Sequence, residues 1–281
     1  VTVEKQLLYL LSKKREMEGK ELINIFEEMN YTPQSIRNIL SKFKRLSYIA
    51  SLERGIYKIT PVGLDAHSLY FNKDNFYTKH WNGTWYFVLL EIPETSRKKR
   101  DAFRKGLRDL GFGMLYKSVY VYPWNIINKV LNLVDSLEIE DYITIISSNE
   151  FLLNGINPEG SSGPNSARSI WDLEEINTNY KNIQTWLETE YITKFNSLIK
   201  DKNRDSLQIF TNFLLLKEIR DDLLLADPML PAEFLPGSWL GTSVLFSIDK
   251  HIQTLVALLP ENSYYSSFVA DYKKLSDDHF R

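Results

Sequence analysis

An α+β protein in three parts is what this sequence predicts: a winged helix-turn-helix, a central ferredoxin-like βαββαβ domain and a helical C-terminal domain. Three observations carry the prediction. Three amphipathic helical stretches precede two β-prone runs set around a glycine. Strand and helix patterns then follow one another in the order βαββαβ. Beyond a Gly-, Ser-, Asn- and Pro-rich stretch at 154–167, helical spacing takes over. The expected boundaries are 1–72, 80–151 and 168–281.

In the first part, Leu7, Leu8, Leu10 and Leu11 form one apolar stripe, and Leu22, Ile25, Phe26 and Met29 form a second after Gly19. The third helix has the clearest start: Thr32 suits an N-cap, Pro33 suits the first helical position, and Ile36, Ile39, Leu40, Phe43 and Leu46 recur at helical spacing. At 100° per residue, that spacing leaves Gln34, Asn38, Ser41 and Arg45 on the outer face, flanked by Arg37, Lys42 and Lys44, with Ser35 beside Gln34 in the first turn. YIASLERGIYKIT then gives two short strands around Glu53-Arg54-Gly55, and Pro61-Val62-Gly63 restarts a helix. Residues 32–58 hold six basic side chains, Arg37, Lys42, Lys44, Arg45, Arg54 and Lys58, against the single acid Glu53. That local excess of +5, in a chain of net charge −2, coincides with the helix and wing that would meet DNA phosphates. Gln34, Ser35, Arg37, Asn38, Ser41, Lys42, Lys44, Arg45, Arg54 and Lys58 are the candidate DNA-binding residues.

In the middle part, WYFVLLEI at 85–92 reads as a buried strand and 97–110 as a helix with Phe103, Leu107 and Leu110 inward. Met114–Tyr116 and Ser118–Tyr122 follow as strands, Ile126–Leu137 as a helix and Tyr142–Ser147 as a last strand. Gly111-Phe112-Gly113 superficially resembles a phosphate loop. A dinucleotide fingerprint, however, needs a strand before the glycines, a helix after them and a Gly or Ala where this chain has Tyr116. Gly111 is therefore expected to be the left-handed residue that stops the helix, with Gly113 easing the chain into a strand.

The last part has helical spacing at Trp171, Ile176, Tyr180, Ile183, Leu187 and Tyr191, at Phe210 to Ile219, and from Val244 to Leu259, interrupted by the proline-rich DPMLPAEFLP. Trp171, Tyr180, Arg220 and Trp239 are candidates for an aromatic effector pocket with one cation. The competing reading makes the aromatics core and pairs Arg220 with Asp222 or Asp227 at the surface.

Composition narrows the chemistry. The absence of cysteine removes disulfides, thiolate nucleophiles and Cys-based zinc sites. His67, His80, His251 and His279 are scattered, with no H-E-x-x-H, and no G-x-S-x-G occurs, the GSSG at 160–163 having other spacing. No catalytic residue, metal or cofactor is expected. The longest apolar runs fall far short of the roughly 20 residues of a spanning helix, and LLYLL is followed by Lys13, Lys14 and Arg15, so neither an anchor nor a signal peptide is expected and the chain reads as cytoplasmic.

These motifs together resemble the phenylacetate-operon repressor (PaaX) family. The resemblance rests on WNGTWYFVLLEIPETSRKKRDAFRKGLRDLGFGMLYKSVYVYP after a winged helix, on the W-x-L…Y pattern of Trp171, Leu173 and Tyr180, and on Arg220, Asp227, Pro228, Leu230, Pro231, Leu235, Pro236, Trp239 and Gly241. Phe234 departs from the family's leucine pair. The resemblance implies a homodimeric repressor that binds a palindromic double-stranded operator and is released by a small-molecule effector, an aryl-CoA thioester such as phenylacetyl-CoA. The central segment alone also resembles the small CRISPR spacer-acquisition nucleases, through Glu91, Arg97, Leu107, Gly111 and Ser118-Val119. A metal-dependent nuclease using Glu91 is thus the alternative, although the expected aspartate and partner acids are missing from the first strand and a shared fold does not transfer chemistry.

Overall fold

A computed structural model describes residues 2–71, 75–157 and 165–273. Its elements run α1 (Thr2–Lys14), β1 (Glu16–Glu18), α2 (Gly19–Glu28), α3 (Pro33–Arg45), β2 (Ile49–Glu53), β3 (Ile56–Ile59) and α4 (Pro61–Phe71). Next come β4 (Trp85–Leu90), α5 (Arg97–Asp109), β5 (Gly113–Tyr116), β6 (Val119–Tyr122), α6 (Ile127–Leu137) and β7 (Ile143–Ser148). The remaining helices are α7 (Ala167–Trp171), α8 (Leu173–Trp186), α9 (Ile192–Lys200), α10 (Ser206–Ala226) and α11 (Gly241–Leu258). The chain is α+β, with two small antiparallel sheets. It forms two compact units: Val1–Asn72 with Thr185–Asp222 and Leu245–Arg281, and Lys73–Gln184 with Leu223–Val244.

The first unit buries Leu7, Leu8, Leu10 and Leu11 of α1, Leu22, Ile25 and Phe26 of α2, and Ile36, Leu40 and Phe43 of α3. From the distant segments it adds Phe210, Phe213, Ile248, Ile252 and Phe268. Tyr9 Oη donates to the Phe268 carbonyl at 2.6 Å, and Gln6 Nε2 donates to the Leu214 carbonyl at 3.3 Å and to Glu218 Oε2 at 2.6 Å. The sheet order is β1-β3-β2. Strand β1 has no counterpart in the sequence reading, because three residues with one buried side chain, Met17, show no period. Gly55, at φ +90°, turns β2 into β3 and accepts the Gly19 N–H at 2.7 Å.

The second unit has the sheet order β5-β6-β4-β7. Because β6 is antiparallel to both β4 and β5, those two run in the same direction and α5 is the crossover between them; α6 likewise joins β6 to β7. On one face Trp85, Phe87 and Val121 pack with Ile156, Trp171, Leu173, Leu230, Phe234 and Leu235. Side chains alternate along a strand, so Val88 and Leu90 face the other way, and buried Phe103, Leu107, Val130 and Val134 of the crossover helices complement that face.

Gly111 has φ +104°, donates its N–H to the Arg108 carbonyl at 2.8 Å, and is followed by a Phe112 N–H to Leu107 carbonyl bond at 2.9 Å. That pair of bonds is the Schellman closure of α5, so GFG stops a helix. Gly113 has a separate reason to be glycine: a Cβ there would lie 2.3 Å from Ile170 and 2.5 Å from Trp171.

The helical pattern expected from Trp171 to Tyr191 is interrupted. Asp172, at φ 49°, separates α7 from α8, and a π turn at Leu187–Tyr191 separates α8 from α9. The left-handed Asp172 follows Trp171, whose indole Nε1 donates to the Gly111 carbonyl at 2.9 Å. Of the stretch 154–167, residues 158–164, including the GSSG, lie outside the described residues, as does His279. Asn165 is buried and ties the described ends, its Nδ2 donating to the Asn154 carbonyl at 2.7 Å.

Candidate nucleic-acid interface

Helix α3 starts where the sequence predicts. Thr32 Oγ1 accepts the Ser35 N–H at 3.2 Å, Pro33 stands in the first turn, and Ile36, Leu40 and Phe43 are buried. With that face inward, Gln34, Arg37, Asn38, Ser41, Lys44 and Arg45 are exposed, and Arg54 and Lys58 are exposed on the β2–β3 hairpin. Arg37, Lys44, Arg45, Arg54 and Lys58 pair with no acid among the described residues. Gln34 Nε2 donates to Asn38 Oδ1 at 2.9 Å, so these side chains form one amide pair along the first two turns.

Three predicted contact residues are engaged elsewhere. Lys42 Nζ sits 2.7 and 2.8 Å from the two carboxylate oxygens of Glu4, a partner on α1 that local spacing could not reveal. Ser35 Oγ donates to the Thr32 carbonyl at 2.7 Å, and Ser41 Oγ to the Arg37 carbonyl at 2.9 Å. For the two serines this is local helix bonding. For Lys42 it is an ion pair that any phosphate would have to compete with.

The four residues considered for an effector are divided between the two units. Arg220 belongs to the first unit, where its Nε lies 2.5 Å from Asp249 Oδ1; neither Asp222 nor Asp227, expected as its partner, takes that place. Asp222 instead receives Lys5 at 2.5 Å. Trp171, Tyr180 and Trp239 belong to the second unit. Trp171 is core. Tyr180 and Trp239 pack edge to face with centroids 5.7 Å apart, around a carboxylate that the sequence reading did not single out as a site.

That carboxylate is Asp227, which is fully buried. It accepts O–H bonds from Tyr180, at 2.6 Å, and from Tyr77, and its Oδ1 accepts the Met229 N–H at 2.7 Å. Tyr77 Oη in turn accepts from Trp239 Nε1 at 2.7 Å, and Trp124 Nε1 donates to the Met229 carbonyl at 2.6 Å. Burial, and next the Asp227 charge, push the phenol pKa values of Tyr77 and Tyr180 far above the ordinary value. The DPMLP stretch is thus a folded knot with Met229 at φ 55°. The Asp-Pro pair signalled a turn in the sequence; its phenol partners, 150 and 47 residues away, were not legible there.

The first unit also holds buried charge. Lys217 pairs with Asp221 and stands 4.2 Å from the centroid of the Tyr9 ring. Burial lowers the Lys217 pKa and raises that of Asp221. His67 Nε2 lies 3.2 Å from Ser12 Oγ, and burial, followed by the charges of Lys217, Lys13 and Arg15, lowers its pKa to about 4. Two clefts of this unit are lined by Glu21, Asn24, Ile25, Tyr264 and Tyr265, and by Lys14, Glu16, Met17, Glu18 and Ile56. Glu91, the residue on which the nuclease alternative rests, is exposed after β4, and no three His, Asp or Glu side chains converge on a metal position among the described residues. No described helix is long and apolar enough to cross a membrane.

Among curated proteins no match was found. Of solved structures, the uncharacterized protein Rv0674 from Mycobacterium tuberculosis is similar, with 17% identity, a TM-score of 0.46, and coverage of 84% of this chain and 90% of that one. Residues 78–159 match the family described as PaaX protein central Cas2-like domain, and residues 171–258 match the PaaX-like protein C-terminal domain. The two matches follow one another in family order and take in most of the chain beyond α4, so this chain belongs to the PaaX family.

Proposed function

We propose that the protein is a DNA-binding transcriptional repressor, built as a winged helix-turn-helix over 1–72, a ferredoxin-like domain over 80–151 and a helical domain over 168–281. The observation that carries the reading is the outer face of α3, where Arg37, Lys44 and Arg45 stand exposed and, among the described residues, without acidic partners beside the Gln34–Asn38 amide pair. Cations of that kind contact phosphates, and amides read base edges. Arg54 and Lys58 on the hairpin extend the contact as a wing. The order α1-α2-α3-β2-β3 and the split βαββαβ topology support the two fold assignments.

In this reading a homodimer occupies a palindromic operator in the cytoplasm, and an aryl-CoA thioester such as phenylacetyl-CoA releases it by binding the DNA-incompetent state more tightly. Family membership supports that part of the reading. The test is anisotropy titration of labelled DNA from the chain's own promoter, over a range of salt and with a panel of acyl- and aryl-CoA esters. Arg37→Ala with Arg45→Ala is expected to lower the slope of log affinity against log salt by about 1.8, at roughly 0.9 per phosphate contact. An unchanged slope refutes the α3 assignment, and cleavage of the DNA in magnesium, lost in Glu91→Ala, would favour the nuclease alternative instead.

A further inference from the structure

Residues 97–117 carry eight basic side chains, Arg97, Lys98, Lys99, Arg100, Arg104, Lys105, Arg108 and Lys117, against Asp101 and Asp109. This excess of +6, with the +5 of residues 32–58, leaves −13 for the rest of a chain whose net charge is −2. The second concentration of charge lies on α5 and the β5–β6 turn, in the unit that does not contain α3.

Internal pairing does not consume it. Arg100 is held by Glu94 at 2.8 Å, Lys99 by Glu138 at 3.4 Å, and Lys105 by Asp109. Arg97 stands 3.9 Å from Glu94 and 3.7 Å from Asp101. Lys98, Arg104, Arg108 and Lys117 pair with no acid among the described residues, and Lys98, Arg108 and Lys117 are exposed. Arg104 donates to the Lys117 carbonyl at 3.1 Å, which fixes the turn beside the helix. With Phe103 and Leu107 inward, Arg97, Arg104 and Arg108 fall within about 40° of one another on the helical wheel and span about 16 Å at 1.5 Å per residue. Lys98 and Lys105 form a second row beside them.

We infer that this face of α5, with the β5–β6 turn, is a second DNA-contact surface that binds duplex backbone phosphates without reading sequence. Duplex DNA presents one charge per roughly 1.7 Å of axis, so a 16 Å row of cations meets several phosphates at once. The exposed positions of α5 are Arg, Lys, Asp and Ala102, with no amide or hydroxyl to read a base edge. Those positions of α5 also lack the aromatic or aliphatic anchors that form the core of a protein interface or dock a helix on lipid, the exposed Met114 and Tyr116 lying on β5. The inference rests on the reading of the chain as a DNA-binding protein, and adds to it a contact outside the helix-turn-helix.

The experiment uses the full chain and a promoter fragment that extends well beyond the protected site. Lys98→Ala with Arg108→Ala and Lys117→Ala removes three exposed side chains that hold no acid, so circular dichroism and melting are expected to match the parent. The salt slope of binding is expected to fall by about 2.7, at 0.9 per contact, and the charge-preserving variant Lys98→Arg with Arg108→Lys and Lys117→Arg is expected to restore it. If the parent binds no DNA, the functional reading itself fails. If the parent binds and the triple alanine variant keeps its slope, this inference alone is overturned, as it is if that variant loses instead an acidic protein partner.

Discussion

Replacing Tyr180 by Phe removes one oxygen from the hydrogen-bonded knot at Asp227. The ring stays, and with it the edge-to-face packing on Trp239 at 5.7 Å. What is lost is an O–H bond of 2.6 Å to a carboxylate with no solvent exposure. A hydrogen bond to a charged group contributes about 1.5–3 kcal/mol, and water cannot replace the missing donor at a fully buried oxygen without opening the core. Tyr77 and the Met229 N–H still serve the carboxylate. We therefore expect a loss of about 2 kcal/mol, or a fall of ~4–8 °C in melting temperature at 2–4 °C per kcal/mol. Urea unfolding followed by tryptophan fluorescence and by circular dichroism measures it, with the two signals compared because two units need not unfold together. Adding Tyr77→Phe should cost more than the sum of the single changes, since both phenol donors to the same buried carboxylate are then gone. A Tyr180→Phe loss below about 0.5 kcal/mol, within the scatter of surface changes, would refute the view that Asp227 is the hub of this network.

Three further outcomes follow from the packing. Gly113→Ala places a methyl 2.3 Å from Ile170 and 2.5 Å from Trp171, so thermal melts should show a loss of at least 1–3 kcal/mol. Lys217→Ala strands buried Asp221 and should cost about 3–5 kcal/mol in denaturant unfolding, whereas Lys217→Met with Asp221→Leu should recover most of it. His67 is neutral in the fold down to about pH 4 but protonates near 6.5 when unfolded, so the unfolded state binds the extra proton between those values. Stability should therefore be intact above pH 6.5 and fall as pH drops towards 4, and His67→Gln should flatten that part of a pH–melting curve.

Local signals were the ones the sequence expressed. The N-cap of α3 is written in Thr32-Pro33, its buried face in Ile36, Leu40 and Phe43, and the stop of α5 in Gly111, because each depends on bonds within six residues. Strand β1 was too short to carry a period, and its pairing Glu16 to Lys58 reaches across α2, α3 and β2. In the candidate interface the exposed basic face was legible from helical phase alone. The capture of Lys42 by Glu4, the pairing of Arg220 with Asp249 and the gathering of Tyr77, Tyr180 and Trp239 at Asp227 were not, since each is set by tertiary packing between distant segments.

The make-up of the first unit has a consequence for the order in which the protein comes to exist. A ribosome delivers α3 before the second unit, yet Tyr9 hydrogen-bonds to Phe268, and Gln6 to Leu214 and Glu218. During synthesis the N-terminal helices must wait, incompletely buried, while the second unit is made and its strands pair. A nascent chain therefore acquires its finished α1–α3 surface only once Phe268 has been made, and a chain interrupted after α8 would carry those helices without the core that holds them in place.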